Sequence, residues 1–410
     1  MSMDGLEILT FGCRLNLVES EMIRRQAQAA GLEDAVIVNS CAVTAEAERK
    51  TRQAIRRARH RRPQARIIVT GCAAQIDPST YAALPEVDQV LGNDAKLSAG
   101  SYLSEARVVM TRPPAPALVL EDLPGHARGF VQIQQGCDHR CTFCVIPLGR
   151  GPNRSVPIGE ILERVRALVA HGYREVVLTG VDITGFGADL PGQPRLGQLV
   201  RRLLALVPEL PRLRLSSLDP AEIDEDLWRA LQEEPRLMPH LHLSLQAGCD
   251  LILKRMKRRH SRDDALRLCR RARALRPGIA LGADIIAGFP TEDETMFQHT
   301  IDLVEEAGLD YLHVFPFSPR PGTPASRMPQ VPDTVITERA ARARDVGSSR
   351  LARSLASRLG RVADILVERG GFGYTEHFAP VRFTSAAAPG DILPMTLTHI
   401  EALELHGEAA

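Results

Sequence analysis

Short apolar runs alternate with longer, polar-faced stretches through the first hundred residues. The runs Leu6–Phe11, Ala35–Val38 and Arg66–Thr70 are of strand length, and the segments between them are of helical length. That alternation predicts βαβ units and a parallel sheet. Arg112-Pro113-Pro114-Ala115-Pro116 and Pro124-Gly125 then interrupt regular structure and read as a linker. A second alternating series follows. Its strand-like runs are Phe130–Gln135, Glu175–Thr179, Arg212–Ser216, His240–Leu245, Leu281–Ala287 and Tyr311–Phe317. Helical stretches such as Ile158–His171, Leu196–Val207, Asp263–Leu275 and Glu294–Ala307 separate them. Six βα units predict a partial (β/α)6 barrel rather than a closed eight-stranded one. Residues 334–361 read as an Arg-rich helix, and the tail turns to β character at Ile365–Glu368, Phe378–Phe383 and Ile392–Ile400, which predicts a small terminal β module. The expected fold class is therefore α/β. Its expected parts are 1–105, a linker 106–128, a barrel 129–330, a helical connection 331–361 and a β module 362–410.

Cysteine placement turns this outline into chemistry. Cys13, Cys41 and Cys72 each follow one of the first three strand-like runs, two of them directly after Gly12 and Gly71. In a parallel sheet the carboxyl ends of the strands share one edge, where ligands bind, so three cysteines far apart in sequence are expected to meet there. A lone cysteine is usually a small buried hydrophobe, but three at equivalent positions point to ligands. Cys137, Cys141 and Cys144 form a second group after the first strand of the barrel series, where a barrel places its active-site loop. Zinc is a competitor for this group, with His139 as a fourth ligand, but no second Cys-x-x-Cys pair lies nearby. A cubane held by three thiolates leaves one iron open to an external ligand. Cys249 reads as a passenger and Cys269, beside Leu266 and Leu268, as packing.

Composition limits the partners without naming them. With 51 Lys and Arg against 50 Asp and Glu, the net charge of +1 is no bulk signature of a nucleic-acid binder, so any RNA site is a local patch. Candidate patches are Arg52, Arg56, Arg57, Arg59, Arg61 and Arg62, and Lys254, Arg255, Lys257, Arg258 and Arg259, each equally well a solvated face. Eight cysteines in 410 residues do not suggest a disulfide framework. No apolar run suggests a membrane span, and Met1–Gly5 lacks the features of a secretory signal, so a cytoplasmic protein is expected.

Cys137-x3-Cys141-x2-Cys144 resembles the radical S-adenosylmethionine superfamily. The order of a three-cysteine domain, a partial barrel and a short β tail is similar to the methylthiotransferases of that superfamily, as are Ile146–Gly151 and Phe317–Ala325. That resemblance implies two 4Fe–4S clusters and S-adenosylmethionine: one cluster on Cys137, Cys141 and Cys144, a second on Cys13, Cys41 and Cys72 whose open iron carries the transferred sulfur. By it, residues 1–105 are the methylthiotransferase domain, 129–330 the radical S-adenosylmethionine barrel, and 362–410 a short TRAM-like RNA-binding domain, through Gly373–Phe378. Cofactor contacts are expected from strand carboxyl ends at Thr179, Gly180, Asp182, Ser216, Ser217, Gln246, Asp284 and Gly288, with Gly248 and Gly288 admitting the adenosine. RNA contacts are expected from Arg150, Arg154, Arg255, Arg258 and Tyr374. Gly12–Asn16 and Arg150–Ser155 look most like the branch acting on N6-threonylcarbamoyladenosine at position 37 of tRNA, next to the anticodon. The implied partners are the tRNA anticodon stem-loop, an external electron donor and a sulfur source. Rival readings are isopentenyladenosine in tRNA, an aspartate of a ribosomal protein, and an RNA-binding iron–sulfur redox sensor without enzymatic activity.

Overall fold

The computed structural model describes residues 5–110 and 126–410. It divides into two compact units. The first comprises the described parts of Met1–Leu120, with Gln135–Arg154 and Ser318–Thr323; the second comprises the described part of Glu121–Gln134, with Ser155–Phe317 and Pro324–Ala410. Residues 111–125 of the expected linker lie outside the described residues.

The first unit is built on a parallel five-stranded sheet in sequence order: Leu6–Thr10, Ala35–Ser40, Arg66–Gly71, Gln89–Leu91 and Val108–Val109. The second strand, Ala35–Ser40, is buried along its whole length, because side chains alternate between two covered faces. Ala35 and Ile37 pack with Ile23 and Ala27 of the helix Arg14–Ala29. Val36 and Val38 pack with Ile55 and Ala58 of the helix Ala45–Arg61. Thr44 starts that second helix by accepting from the Ala47 amide at 3.1 Å, a cap that satisfies one otherwise unpaired donor.

In the second unit, six parallel stave positions form the expected partial barrel. Arg128–Gln132, Glu175–Thr179 and Arg212–Leu215 make one sheet; Ser217–Leu218, His240–Gln246, Ala280–Ala287 and Tyr311–Pro316 make another. The third stave is split at Ser216, its first half pairing backward and its second half forward. Leu213, Leu215, Leu241, Leu243, Leu245, Leu281, Ala283 and Ile285 bury outward against the helices. Alternation therefore sends Arg212, Arg214, His240, His242, Ser244, Gln246 and Asp284 to the concave face. The lining of the barrel is polar for this reason.

The Arg-rich helix spans Asp333–Ala356, and a closed five-stranded barrel follows it in the order Val362–Arg369, Phe372–Tyr374, Pro380–Arg382, Glu404–Ala409, Ile392–Glu401. Two of its strands, Phe372–Tyr374 and Glu404–Ala409, are too short or too polar to stand out as apolar runs. The expected strand Phe378–Phe383 is corrected to Pro380–Arg382, because Phe378 turns the chain at φ +68°. Among the described residues, no helix is long and apolar enough to cross a membrane.

Candidate functional site

Cys41 and Cys72 directly follow strands Ala35–Ser40 and Arg66–Gly71, and Cys13 follows Leu6–Thr10 after a two-residue turn. Because these three strands are parallel neighbours, the thiols share one sheet edge. Gly12 makes the approach possible: it sits at φ +99°, and a Cβ there would stand 2.7 Å from both Cβ and Sγ of Cys41. Burial, with the charges of Cys72 and Cys13 added to it, pushes the Cys41 thiol up to about 11. Three soft sulfur donors from three adjacent strands suit an iron–sulfur group better than a hard, oxygen-preferring ion.

The second triad belongs to the same compact unit. Cys137, Cys141 and Cys144 are half-buried; the Cys144 amide donates to the Cys141 carbonyl at 3.1 Å, and the Ile146 amide approaches Cys144 Sγ at 3.4 Å. The helix Ile146–Arg150 then lies against the helix Cys72–Ile76. Gly149 has its missing Cβ 3.3 Å from Cys72 Cβ.

Arg150 is not an RNA contact. Its side chain is 1% exposed and donates to Glu19 Oε1 at 2.6 Å, Glu19 Oε2 at 2.9 Å and Asn16 Oδ1 at 2.7 Å. Lys96 completes the cluster through Glu19 Oε2 at 2.7 Å and Asn93 Oδ1 at 2.8 Å. Burial opposes every charge here. Arg150 and Lys96 nevertheless overcome it for Glu19, whose carboxyl is held down at about 2. Burial lowers Lys96, with the Glu19 charge working against it. For Arg150 burial is outweighed by the charges of Cys72, Glu19 and Cys13, which raise it well above its ordinary value. Arg320, on the segment Ser318–Thr323, is buried beside the Glu48 carboxylate; burial lowers it and the Cys41 charge works in the opposite direction. The sequence signal for Glu19 was available: it falls on the apolar stripe of Leu15, Val18, Met22 and Ile23. Lys96 between Ala95 and Leu97 was a comparable sign.

On the barrel, Thr179, Gly180 and Asp182 follow the second stave, Ser216 and Ser217 sit at the split of the third, and Gln246 ends the fourth at φ +70°. Gln134 holds the loop after the second stave: its Oε1 accepts from the Val181 and Asp182 amides at 3.0 and 2.9 Å. Ser216 Oγ is buried without a hydrogen-bond partner, an uncommon condition that suits a hydroxyl waiting for a ligand. Asp284 is corrected from a strand end to mid-stave. It takes His242 Nε2 at 2.8 Å and His313 Nδ1 at 3.3 Å on one oxygen, with Ser217 Oγ 3.5 Å from the other. The sequence reading had not singled out those histidines.

Three further expectations are corrected. At Gly288 the room a side chain would need is taken by packing, because its missing Cβ points 2.6 Å from Ile336 Cγ1 of the helix Asp333–Ala356. Gly248 likewise seats the helix Glu294–Glu306, with Thr300 Cα 2.7 Å from its Cβ position. Arg258 is 7% exposed and bound to Asp219 Oδ2 at 2.9 Å and the Ser244 carbonyl at 2.7 Å, so it faces no phosphate. Arg154 reaches Asp94 at 3.4 Å with 39% of its side chain exposed, and half-buried Arg255 donates to the Thr291 carbonyl at 3.3 Å. Tyr374 stacks on Phe378 with ring centroids 4.7 Å apart, and Arg128 lies 4.8 Å over its ring. Phe378 fills space against His240 at 5.3 Å rather than presenting a free face.

An open six-stave barrel combined with the Cys-x3-Cys-x2-Cys loop defines a class, the radical S-adenosylmethionine enzymes. The Radical SAM superfamily profile matches residues 131–304, and that of Uncharacterized protein family UPF0004 matches residues 6–92. The chain is 48% identical over 400 residues to the threonylcarbamoyladenosine tRNA methylthiotransferase MtaB of Rickettsia prowazekii, covering 96% of this chain and 95% of that protein. It is 37% identical to the protein of the same name from Thermotoga maritima, covering 93% and 92%. It is 34% identical to the tRNA-2-methylthio-N(6)-dimethylallyladenosine synthase of Cereibacter sphaeroides, covering 98% of each. Among solved structures, the radical S-adenosylmethionine methyltransferase TsrM of Kitasatospora setae shares the fold, with a TM-score of 0.54, 15% identity, and coverage of 79% of this chain and 77% of that one. The chain belongs to the radical S-adenosylmethionine methylthiotransferase family. Membership implies a 4Fe–4S cluster and S-adenosylmethionine.

Proposed function

We propose that this enzyme converts N6-threonylcarbamoyladenosine beside the tRNA anticodon to its 2-methylthio derivative. One cluster is held by Cys137, Cys141 and Cys144, and a second by Cys13, Cys41 and Cys72. The observation that carries the reading is the Cys13/Cys41/Cys72 triad: three thiols at adjoining ends of parallel strands, in the same compact unit as the Cys137–Cys144 loop. The relatives named for threonylcarbamoyladenosine, at up to 48% identity, support the substrate; the relative named for dimethylallyladenosine, at 34%, marks the nearest rival.

Cys137, Cys141 and Cys144 would hold the cluster that passes an electron to S-adenosylmethionine, and Cys13, Cys41 and Cys72 the cluster that carries sulfur; together with two cofactor molecules these groups would supply the radical, the sulfur and the methyl group needed at an unactivated adenine carbon. The chain's own part is positioning. Gly12 and Gly149 bring backbone close to Cys41 and Cys72, and the Gln134 amide side chain fixes the Val181–Asp182 loop. Thr179, Asp182, Ser216, Ser217 and Gln246 present polar groups at stave ends for the amino, carboxylate and ribose groups of the cofactor. Exposed Arg56, Arg57, Lys254 and Lys257 are the cations left for RNA phosphate, and the closed terminal barrel serves as the TRAM-like RNA grip. An external electron donor and a sulfur source complete the cycle in the cytoplasm.

The test is anaerobic reconstitution with cofactor, reductant and sulfide, followed by mass analysis of nucleosides from threonylcarbamoylated, isopentenylated and unmodified tRNA. A methylthio increment only on threonylcarbamoyladenosine supports the reading. The increment on isopentenyladenosine instead, or 5′-deoxyadenosine without a modified nucleoside, would contradict the substrate.

A further inference from the structure

Arg150, Glu19 and Lys96 form an ion cluster that is unusual in its charge balance. All three side chains are at most 1% exposed, yet the cluster holds two cations and one carboxylate. Burying an ion costs several kcal/mol in order of magnitude, and an unmatched one is not repaid. A neighbouring anion would offset the excess.

The hydrogen bonds lead to it. Lys96 donates to Asn93 Oδ1, and Asn93 Nδ2 in turn reaches Cys72 Sγ at 3.9 Å and the Gly149 carbonyl at 2.6 Å. Arg150 donates to Asn16 Oδ1, which lies 4.0 Å from Cys13 Sγ. Asn16 is itself fixed, its Nδ2 donating to the carbonyls of Phe11 at 2.7 Å and Ser40 at 3.1 Å. Lys96 is thus joined through the Asn93 amide to Cys72, and Arg150 lies one asparagine away from Cys13. The excess positive charge faces sulfur that is anionic whenever it ligates metal.

We infer that Arg150 and Lys96, balanced by Glu19, are the built-in counter-charge of the Cys13/Cys41/Cys72 site and set the reduction potential of the cluster held there. The inference rests on the proposed second cluster. Positive charge beside a cluster stabilises its reduced, more negative state, and net charge and hydrogen bonds to sulfur are the levers a protein has over that potential. These three are positioning and tuning residues, since none is placed to touch substrate.

The experiment is an EPR-monitored redox titration of the fully reconstituted enzyme, with iron counted for each variant. The Cys137/Cys141/Cys144 signal is recognised by its change on adding S-adenosylmethionine, leaving the other signal as the readout. Lys96→Met removes a positive charge and is expected to move the second potential to a more negative value. Glu19→Gln removes a negative charge and is expected to move it to a more positive value. Lys96→Arg keeps the charge and should leave it in place. A purely structural network would instead produce shifts of one sign, or no shift together with loss of stability in every variant, and would overturn the inference. If Glu19→Gln does not fold, the contrast between Lys96→Met and Lys96→Arg decides alone. Wild-type protein that holds only about four irons would overturn the second cluster itself, whereas about eight irons without opposed shifts would overturn only the tuning.

Discussion

Gly12 shows how much can depend on the absence of one atom. Its left-handed backbone and the 2.7 Å separation of its Cβ position from Cys41 leave no room for a methyl group. Gly12→Ala is therefore expected to lower iron bound at the Cys13/Cys41/Cys72 site while sparing the other, as read by iron analysis and EPR. Glu292 gives a pH prediction. Burial pushes its carboxyl up from 4.5 to about 7, against the Gly288 amide and Arg339. The folded state then binds the proton more tightly than the unfolded state between those values. Its stabilisation is full below the unfolded value and fades as pH rises through about 7. Glu292→Gln should flatten that slope, making the variant relatively more stable at pH 8 than at pH 5 by roughly 1–3 kcal/mol in denaturant titrations. Of these residues, the six cysteines stood out in sequence because their spacing and their place after strands are local features. Glu19 and Lys96 carried only the sign of a charge among apolar residues, and His242 and His313 carried none. Their partners lie 77 residues away for Lys96 and 42 for His242, and no window of pattern spans that distance.

At the level of strands and helices, alternation did most of the work of legibility. Leucines facing outward from the staves, with polar residues between them, placed five of the six barrel strands to within about a residue of their ends; the first, expected at Phe130–Gln135, runs over Arg128–Gln132. The terminal barrel was less legible because Phe372–Tyr374 is three residues long and Glu404–Ala409 is largely polar. The base of the large barrel carries a second buried ion cluster. Glu175 accepts from Arg128 at 2.8 Å and Arg214 at 2.7 Å, with Arg212 at 3.8 Å. Arg128 also reaches Glu368 at 2.7 Å and Arg212 the Asp364 carbonyl at 2.8 Å, which fastens the closed terminal barrel to the staves. Removing one partner leaves buried charge uncompensated, so Glu175→Ala should cost about 3–5 kcal/mol of stability, measured by denaturant unfolding. A shift within 0.5 kcal/mol, about the size of an ordinary surface change, would contradict this role.

Across the whole molecule, chain order and spatial grouping part company. Gln135–Arg154 and Ser318–Thr323 interrupt the barrel series in sequence yet group with the five-stranded sheet of the first unit. Ser318 Oγ accepts from the Ala45 amide at 3.1 Å, and Arg150 sits on Glu19. Nothing local announces this, because both segments follow barrel strands as ordinary active-site loops would. Deleting residues 1–105 is accordingly expected to cost the Cys137–Cys144 loop its packing and its iron, rather than leave a self-sufficient barrel. The most direct test of the two-site account is iron and sulfide analysis of anaerobically reconstituted wild type beside two triple variants, Cys13/Cys41/Cys72→Ala and Cys137/Cys141/Cys144→Ala. Two clusters mean about eight irons for wild type and about four for each variant, with only the first of the two variants still cleaving S-adenosylmethionine. Full iron in the Cys13/Cys41/Cys72 variant, or S-adenosylmethionine cleavage surviving in the other, would contradict it.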